Sequence, residues 1–163
     1  MNKYFNFFFF SFLCPLLLIS QNKLEDGNKK FYYENGQISS EGNIINGLPE
    51  GYWITYYPNG IIKSEGNREN NLLDSTWIFY DKEGNFDSKI NFRKGKKSGL
   101  KITYSDSCNI ILEEKFEDDL KQEISTTYYD KKGKNKKLEI NYIDNIENGR
   151  AYEYGEDGRL ISL

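Results

Sequence analysis

The feature that most constrains the fold is a tyrosine followed four positions later by a glycine, a pair that recurs along the chain. The glycine slots are positions 36, 60, 84, 108, 133 and 158, spaced by 24 or 25 residues, with cysteine at 108. Such a period is typical of tandem units that stack on one another. The repeated positions are Tyr32, Gly36, Tyr56, Gly60, Tyr80, Gly84, Tyr104, Cys108, Tyr129, Gly133, Tyr154 and Gly158.

Each unit has the pattern of a β-hairpin. Residues 51–57 are rich in aromatic and β-branched side chains, Pro58 and Gly60 interrupt them, and an apolar start follows at Ile61. Proline suits the first central position of a type I turn, and glycine suits the left-handed position that closes it with a bulge. The chain is predicted to reverse again at Asn46-Gly47, Asn70-Asn71, Lys94-Gly95, Asp118-Asp119 and Asn148-Gly149. The fold class predicted is all-β, an elongated single-layer antiparallel meander of tandem hairpins.

The turn type also predicts the pairing of residues across each hairpin. A three-residue turn at 58–60 places Tyr57 opposite Ile61 and Tyr56 opposite Ile62. The same rule gives the pairs Tyr32–Ile38, Tyr80–Phe86, Tyr104–Ile110 and Tyr154–Leu160. Aromatic and aliphatic partners of this kind stabilise a sheet by roughly 0.2 to 1 kcal/mol each. In the fifth unit Tyr129 meets Asn135, so that hairpin is expected to be irregular.

Residues two apart in a strand share a face, which divides the sheet into two surfaces. The tyrosine surface is predicted to be the buried one; its further members are Ile54, Ile78, Ile90, Ile102 and Leu112. The opposite surface is predicted to be amphipathic, with Trp53 across from Glu65, Trp77 across from Lys89 and Lys101 across from Glu113.

The first twenty residues are typical of a targeting segment. Lys3 precedes an apolar run from Phe5 to Ile19, which is shorter than the roughly 20 apolar residues of a membrane-spanning helix. We expect a signal peptide at 1–20, a linker at 21–29 and a repeat domain at 30–163 with five full hairpin units and a partial sixth. Lipidation of Cys14 and retention of an uncleaved anchor are the alternatives. The expected location is exported: periplasmic, outer-membrane-associated or extracellular.

Composition excludes several kinds of chemistry. The chain has no histidine and only two cysteines, Cys14 and Cys108, which excludes Ser-His-Asp and Cys-His catalysis and the His-rich zinc sites. Glu65 and Glu113 recur with the scaffold, so they are interpreted as strand surface and not as the carboxylate pair of a glycosidase. We expect a protein that is not an enzyme and has no cofactor.

Two glycine-containing stretches carry a family resemblance. Residues 32–36 are followed by Glu41-Gly42-Asn43, and residues 56–60 are followed by Glu65-Gly66-Asn67. This Tyr-Tyr-x-x-Gly pattern resembles the MORN-repeat variant, over about residues 30 to 163. Bacterial proteins with such repeats are often labelled YwqK-type antitoxins, and MORN repeats elsewhere are associated with membranes and protein partners. The resemblance therefore implies a binding module and brings no catalytic residues.

An aromatic patch is the first candidate for a binding site. It comprises Trp53, Trp77 and Phe79, with Lys101 in the same column of the next repeat. Exposed aromatics flanked by charge anchor protein partners or stack on sugars, while coverage of this surface by the protein itself is the alternative.

A lysine-rich turn is the second candidate. It holds Lys131, Lys132, Lys134, Lys136 and Lys137 and would attract phosphate-bearing surfaces, although a simple solvated turn has the same composition. A formal net charge of −3 opposes nucleic-acid binding. The function expected is protein binding or scaffolding at the cell envelope; the alternatives are carbohydrate or lipid binding there, or an antitoxin-like role.

Overall fold

The computed structural model describes residues 24–132 and 134–162. The predicted signal segment, residues 1–20, lies outside the described residues, as does Gly133. Within them the strands are β1 (Gly27–Tyr32), β2 (Ile38–Ile45), β3 (Leu48–Tyr56), β4 (Ile62–Glu69), β5 (Leu72–Tyr80), β6 (Phe86–Arg93), β7 (Lys96–Tyr104), β8 (Ile110–Glu117), β9 (Leu120–Tyr128), β10 (Lys136–Ile143), β11 (Ile146–Tyr154) and β12 (Leu160–Ser162).

All of these strands form one open antiparallel sheet in which each strand pairs with its neighbours in sequence. The predicted fold class, a single-layer meander of hairpins, is confirmed. The sheet begins earlier than predicted, since Gly27 already pairs with Ile44 inside the segment expected to be a linker at 21–29. No helix in the described part of the chain is long and apolar enough to cross a membrane.

The connections that lead from an odd-numbered to an even-numbered strand, such as β3 to β4, have the predicted turn. The amide of Gly60 donates to the carbonyl of Tyr57 at 2.9 Å, and the amide of Tyr57 donates to the carbonyl of Ile61 at 2.8 Å. Gly60 has a φ of 85°, a conformation that glycine adopts without steric cost. The predicted Tyr56–Ile62 pair is confirmed. So are the pairs Tyr32–Ile38, Tyr80–Phe86, Tyr104–Ile110 and Tyr154–Leu160.

The even-to-odd connections are two-residue turns with positive φ at both positions, such as Asn70 at 50° and Asn71 at 67°. The prediction of a turn at Asn148-Gly149 was wrong. The chain reverses at Asp144-Asn145, between the paired residues Ile143 and Ile146. Short Asn and Asp side chains tolerate the left-handed conformation, so this pair forms the turn without glycine.

The fifth hairpin is irregular, as expected, but the prediction was wrong about which tyrosine pairs across its turn. Tyr128 pairs with Lys136, so Tyr128 and not Tyr129 is the equivalent of Tyr56. The amide of Tyr129 donates to the carbonyl of Asn135 at 2.9 Å, which is the equivalent of the Tyr57–Ile61 contact. The spacing of 25 residues predicts an inserted residue in this hairpin, and the connection between β9 and β10 is longer than in the other hairpins. The spacing did not show that Tyr128 is the tyrosine that pairs across the turn.

A bulge beside each turn changes which residues face each other. Tyr56 pairs with Ile62 but Thr55 pairs with Ser64, so β4 has one extra residue there. The predicted partners beyond the bulge were therefore wrong: Trp53 lies across from Gly66, Trp77 across from Ile90, and Lys101 across from Glu114. A one-residue shift moves a side chain to the other face of a sheet. Glu65 and Glu113 accordingly share a face with the tyrosine ladder, while Ile90 and Leu112 lie on the opposite face.

The core lies on the face opposite the tyrosines, which corrects the predicted burial. Trp77 is 1% and Trp53 is 4% exposed, and they form a cluster with Ile44. A large indole on a single-layer sheet is covered when small residues on the adjacent strands let it lie flat. Gly42 and Gly66 provide that space, since a Cβ on either would lie within 2.4 to 2.7 Å of the indole of Trp53 or Trp77.

Candidate functional site

The two faces of the sheet are named by their residues. The tryptophan face carries Trp53, Trp77, Phe79, Lys101 and Glu114, and the tyrosine face carries the ladder Tyr32, Tyr56, Tyr80, Tyr104, Tyr128 and Tyr154 with the residues that pair with it. The sequence predicted a binding patch on the tryptophan face and burial of the tyrosine face.

The tryptophan face does not present the aromatic patch that the sequence predicted. Trp53 and Trp77 are buried and Phe79 is half-buried beside them. The guanidinium of Arg68 lies over both indoles, 5.9 Å from the Trp53 ring and 5.4 Å from the Trp77 ring. The protein covers this surface with its own side chains, so the premise of an exposed patch is wrong.

Lys101 also has an internal partner. Its Nζ lies 2.9 Å from Oε2 of Glu114, and Nζ of Lys121 lies 2.6 Å from Oε1 of the same carboxylate. Glu114 is buried, and burial alone would favour its neutral form. Although burial opposes ionisation, hydrogen bonds from Lys121 and Lys101 lower the pKa of Glu114 below its usual value. The ionised carboxylate thus joins three strands.

The tyrosine face carries a second ladder, of glutamates, that the sequence analysis did not identify. The hydroxyl of Tyr80 donates to Oε1 of Glu65 at 2.6 Å. The same contact, between a tyrosine and the glutamate fifteen residues before it, recurs in the pairs Tyr56–Glu41, Tyr128–Glu113 and Tyr154–Glu139. The sequence signal that could have revealed it is a glutamate fifteen residues before four of the six ladder tyrosines.

One position interrupts the glutamate ladder. Lys89 pairs with Ile102 as Glu65 pairs with Ile78, so a lysine occupies the place of the acceptor for Tyr104. The ring of Tyr104 instead lies 6.1 Å from Phe86, which is 5.3 Å from Tyr80. The glutamate row is therefore divided into one section on β2 and β4 and another on β8 and β10.

The hydroxyl contacts change the acidity of both partners. Burial, together with the bond to Glu41, raises the pKa of Tyr56 to about 12. Burial and the bond to Glu65 raise the pKa of Tyr80 to about 12 as well. The hydrogen bond from Tyr56 and contacts with Lys30 lower the pKa of Glu41. Tyr56 and Tyr80 therefore stay neutral donors, and Glu41 stays an ionised acceptor, across the physiological pH range.

An apolar stripe runs across the strands on the tyrosine face. It alternates ladder tyrosines with the aliphatic or aromatic residues that pair with them, such as Ile62 and Phe86. Tyr32 is 60% and Phe86 is 47% exposed. Tyr52 and Ile124 are also more than half exposed on this face. A row of accessible apolar side chains on one face is the usual mark of an interaction surface.

Shallow depressions accompany the stripe at both ends of the sheet. One, of about 280 Å³, is lined by Lys30, Glu41, Tyr52 and Ile54 among others. Another, of about 300 Å³, is lined by Ile124, Glu139, Asn141, Arg150, Tyr152 and Tyr154. Both combine aromatic or aliphatic walls with a glutamate of the ladder.

A second tyrosine in several units links successive hairpins. The hydroxyl of Tyr33 donates to the carbonyl of Tyr56 at 2.6 Å, and the hydroxyl of Tyr57 donates to the carbonyl of Tyr80 at 2.9 Å. Tyr129 does the same toward Tyr154 at 2.8 Å. These contacts hold neighbouring turns together and keep the tyrosine face in register from one unit to the next.

The lysine-rich turn is largely occupied by internal contacts. Lys131 lies 3.2 Å from Glu156, Lys134 lies 2.6 Å from Glu113, and Lys136 lies 2.6 Å from Glu139. Lys137 lies over the ring of Tyr129, and Lys132 is exposed. The turn thus carries less unbalanced positive charge than its sequence implied.

The remaining candidate groups add no chemistry to these faces. Cys108 is exposed in its turn, with a φ of 57° where other units have glycine. Within residues 24–132 and 134–162, no cluster of His, Cys, Asp or Glu is arranged to hold a metal ion.

Comparison with known proteins supports the repeat interpretation. No curated protein matches the chain. The model of the MORN repeat variant matches residues 25–46 and 49–70, which are β1 with β2 and β3 with β4 together with their turns. The later hairpins have the same strand order and pairing but lie outside the two matches. MORN repeats are generally protein- or membrane-binding modules, and residues 25–46 and 49–70 of this chain are similar to the MORN repeat variant.

Proposed function

We propose that this protein is a non-catalytic binding module that recognises another protein through its tyrosine face. The observation that carries the proposal is the contrast between the faces. The tryptophan face is filled by Trp53, Trp77 and Arg68, while Tyr52 and Ile124 project from the tyrosine face with more than a third of each side chain exposed. Aromatic and aliphatic groups of this kind supply most of the binding energy at protein interfaces.

The rigidity of the scaffold supports the same role. Four of the ladder tyrosines, Tyr56, Tyr80, Tyr128 and Tyr154, donate to a glutamate. Tyr33, Tyr57 and Tyr129 are bonded to the next hairpin. Side chains that are already ordered lose little entropy on binding, so a surface of this kind binds without large rearrangement.

Export to the cell envelope is part of the proposal. It rests on the basic residue Lys3 followed by the apolar run from Phe5 to Ile19. Cell fractionation, with mass spectrometry of the N-terminus of the recovered chain, tests it. A mature N-terminus at Gln21 in an envelope or extracellular fraction is the expected result, and a full-length chain in the cytoplasm would contradict it.

Capture of partners from the native cells tests the binding role. The full chain is compared with the variants Tyr52→Ser and Ile124→Ser on the tyrosine face. Lys132→Ser is the control, since Lys132 is exposed in the turn between β9 and β10, outside the strands that form the tyrosine face. We expect a protein that is retained by the wild type and the control, is lost with both tyrosine-face variants, and binds directly when purified. Equal retention by all variants would contradict the proposal.

A further inference from the structure

The partner's chemistry follows from the spacing of groups on the tyrosine face over β1 to β6, and this step rests on the proposed function. In that section the stripe is continuous: Tyr32, Ile38, Tyr56, Ile62, Tyr80 and Phe86 follow one another across the strands. Beyond it, Lys136 replaces the apolar partner of Tyr128. The stripe continues through Tyr104 and Ile110 as far as Tyr128, and its part over β1 to β6 is the part that runs beside the carboxylates of Glu41 and Glu65.

The carboxylates of Glu41 and Glu65 lie at the tips of the tyrosine rings beside this track. Each accepts a hydroxyl, from Tyr56 at 2.5 Å and from Tyr80 at 2.6 Å, so each is fixed relative to the apolar stripe. Glu65 also accepts the hydroxyl of Tyr52 at 2.8 Å, and within the described residues no lysine or arginine forms an ion pair with it. Glu41 is 3.0 Å from Lys30, whose side chain is 54% exposed, so a cation of the ligand would share this carboxylate with Lys30 or replace it.

The interval between these carboxylates matches one kind of ligand. Equivalent positions in successive hairpins are two strands apart, about 9.6 Å at the usual strand spacing. A polyproline II helix advances about 9.3 Å in three residues, whereas an extended β-strand advances about 10 Å and its successive third residues point to opposite sides. Side chains three apart on a polyproline II helix therefore point the same way at nearly the interval of Glu41 and Glu65.

We propose that the tyrosine face of β1 to β6 binds a basic proline-rich segment in the polyproline II conformation, with lysine or arginine at every third position. The cations pair with Glu41 and Glu65, and the prolines pack on the rings of Tyr56, Tyr80 and Phe86. Aromatic-lined tracks suit such segments because the free peptide is already ordered. Lys89, at the next place in the row, ends the site by charge repulsion.

Peptide binding to the purified full chain tests this directly. The probe is a fluorescein-labelled peptide of four Pro-Pro-Lys triplets, measured by fluorescence anisotropy. Two control peptides have lysine at every fourth position, or glutamate in place of lysine. We expect the triplet peptide to bind, both controls to bind at least about fivefold more weakly, and affinity to fall with added salt, as expected for a contact that depends on paired charges.

Variants locate the binding site. Glu65→Gln is expected to weaken binding of the triplet peptide about fivefold, the cost of one partly desolvated charge pair. Glu139→Gln is the matched control, because Glu139 also accepts a ladder hydroxyl, from Tyr154, but lies in the section whose stripe Lys136 interrupts. Lys89→Glu is expected to strengthen binding by extending the row, and circular dichroism checks that each variant is folded.

Failure of this inference is distinct from failure of the proposed function. Any of three results would overturn the assignment of the ligand. The triplet peptide does not bind, or the control peptide with lysine at every fourth position binds equally well, or Glu65→Gln leaves the affinity unchanged. Capture of a partner that depends on Tyr52 and Ile124 would then still support a protein-binding face. Binding of anionic lipid vesicles in place of the basic peptide would also overturn it, since the acidic row would repel them.

Discussion

The hydroxyl of Tyr80 on β5 donates to a carboxylate oxygen of Glu65 on the adjacent strand β4 at 2.6 Å. The two residues are fifteen positions apart in the sequence. Glu65 also accepts the hydroxyl of Tyr52 at 2.8 Å, so one carboxylate on β4 orders two aromatic rings on the strands that flank it, β3 and β5. The contact connects stability with function, because it holds in place the rings that form the proposed binding surface.

Removing the charge of Glu65 should destabilise the fold modestly. Glu65→Gln retains the size of the side chain but weakens two hydrogen bonds to an ionised acceptor, each worth about 0.5 to 1 kcal/mol when partly exposed. We expect the free energy of unfolding in urea to fall by about 1 kcal/mol. Glu117→Gln is the control, since Glu117 is exposed at the end of β8, and an equal loss there would contradict a specific role for Glu65.

Filling the space at Gly66 should disturb the core. A Cβ at this position would lie 2.5 Å from the indole of Trp77, a distance that requires the ring to move. We expect Gly66→Ala to lower the free energy of unfolding by about 1 to 3 kcal/mol and to change the near-ultraviolet circular dichroism of tryptophan. Gly155→Ala is the control, because the nearest atom to a Cβ there is the end of the exposed Asp157 side chain, at 2.9 Å, and not a buried ring. A tolerated Gly66→Ala would show that Trp77 is not held flat on β4.

The Lys101–Glu114 pair should behave as a unit that replaces the glycine and tryptophan of the earlier repeats. Glu114→Gly leaves Lys101 and Lys121 without their shared carboxylate, and we expect a loss of about 2 kcal/mol in the free energy of unfolding. Adding Lys101→Trp places a tryptophan across from a glycine on the following strand, as Trp53 lies across from Gly66. The double variant is expected to be more stable than Glu114→Gly alone in thermal unfolding. If the losses in the free energy of unfolding caused by the two substitutions simply add, the Lys101–Glu114 pair is not equivalent to the tryptophan–glycine pair.

Alkaline pH should weaken the fold through the ladder tyrosines. The pKa of Tyr52, Tyr56, Tyr80 and Tyr128 is raised from 10.0 to about 12, by burial first and by the glutamate bonds second. A raised pKa in the folded state contributes stability that is complete below pH 10 and is lost as the pH rises toward 12.

Absorbance of tyrosinate and the urea midpoint, followed together between pH 9 and about 12.5, measure this dependence. Late ionisation of a group of tyrosines, accompanied by a falling midpoint, is the expected outcome. Glu65→Gln should let part of that group ionise at lower pH, since Tyr52 and Tyr80 lose their charged acceptor. Ordinary titration of every tyrosine near pH 10 would be inconsistent with the hydroxyl ladder.

Much of the local structure was predictable because it depends on residues close in sequence. The turn at Pro58 to Gly60, the pairing of Tyr56 with Ile62 and the order of the hairpins all follow from turn chemistry and from the repeat period. The fifth unit was the exception, since two adjacent tyrosines, Tyr128 and Tyr129, allowed either alignment to the period.

The candidate site depended on contacts that local patterns do not specify. Trp53 and Trp77 have the composition of a binding patch, and the glycines on the preceding strands decide that they lie flat and buried. The face on which Glu65 lies depends on one extra residue at Lys63, which shifts the alternation beyond the turn.

The sequence by itself determined a sheet of stacked hairpins, because a period of 24 or 25 residues with a glycine turn leaves few other ways to form backbone hydrogen bonds. Only the tertiary structure decided which face is the core and which is open. Whether a face is buried depends on which large and small side chains are paired across adjacent strands. The bulges decide that pairing, because each one shifts the register by one residue. The tyrosine and glutamate ladder on the open face is the result.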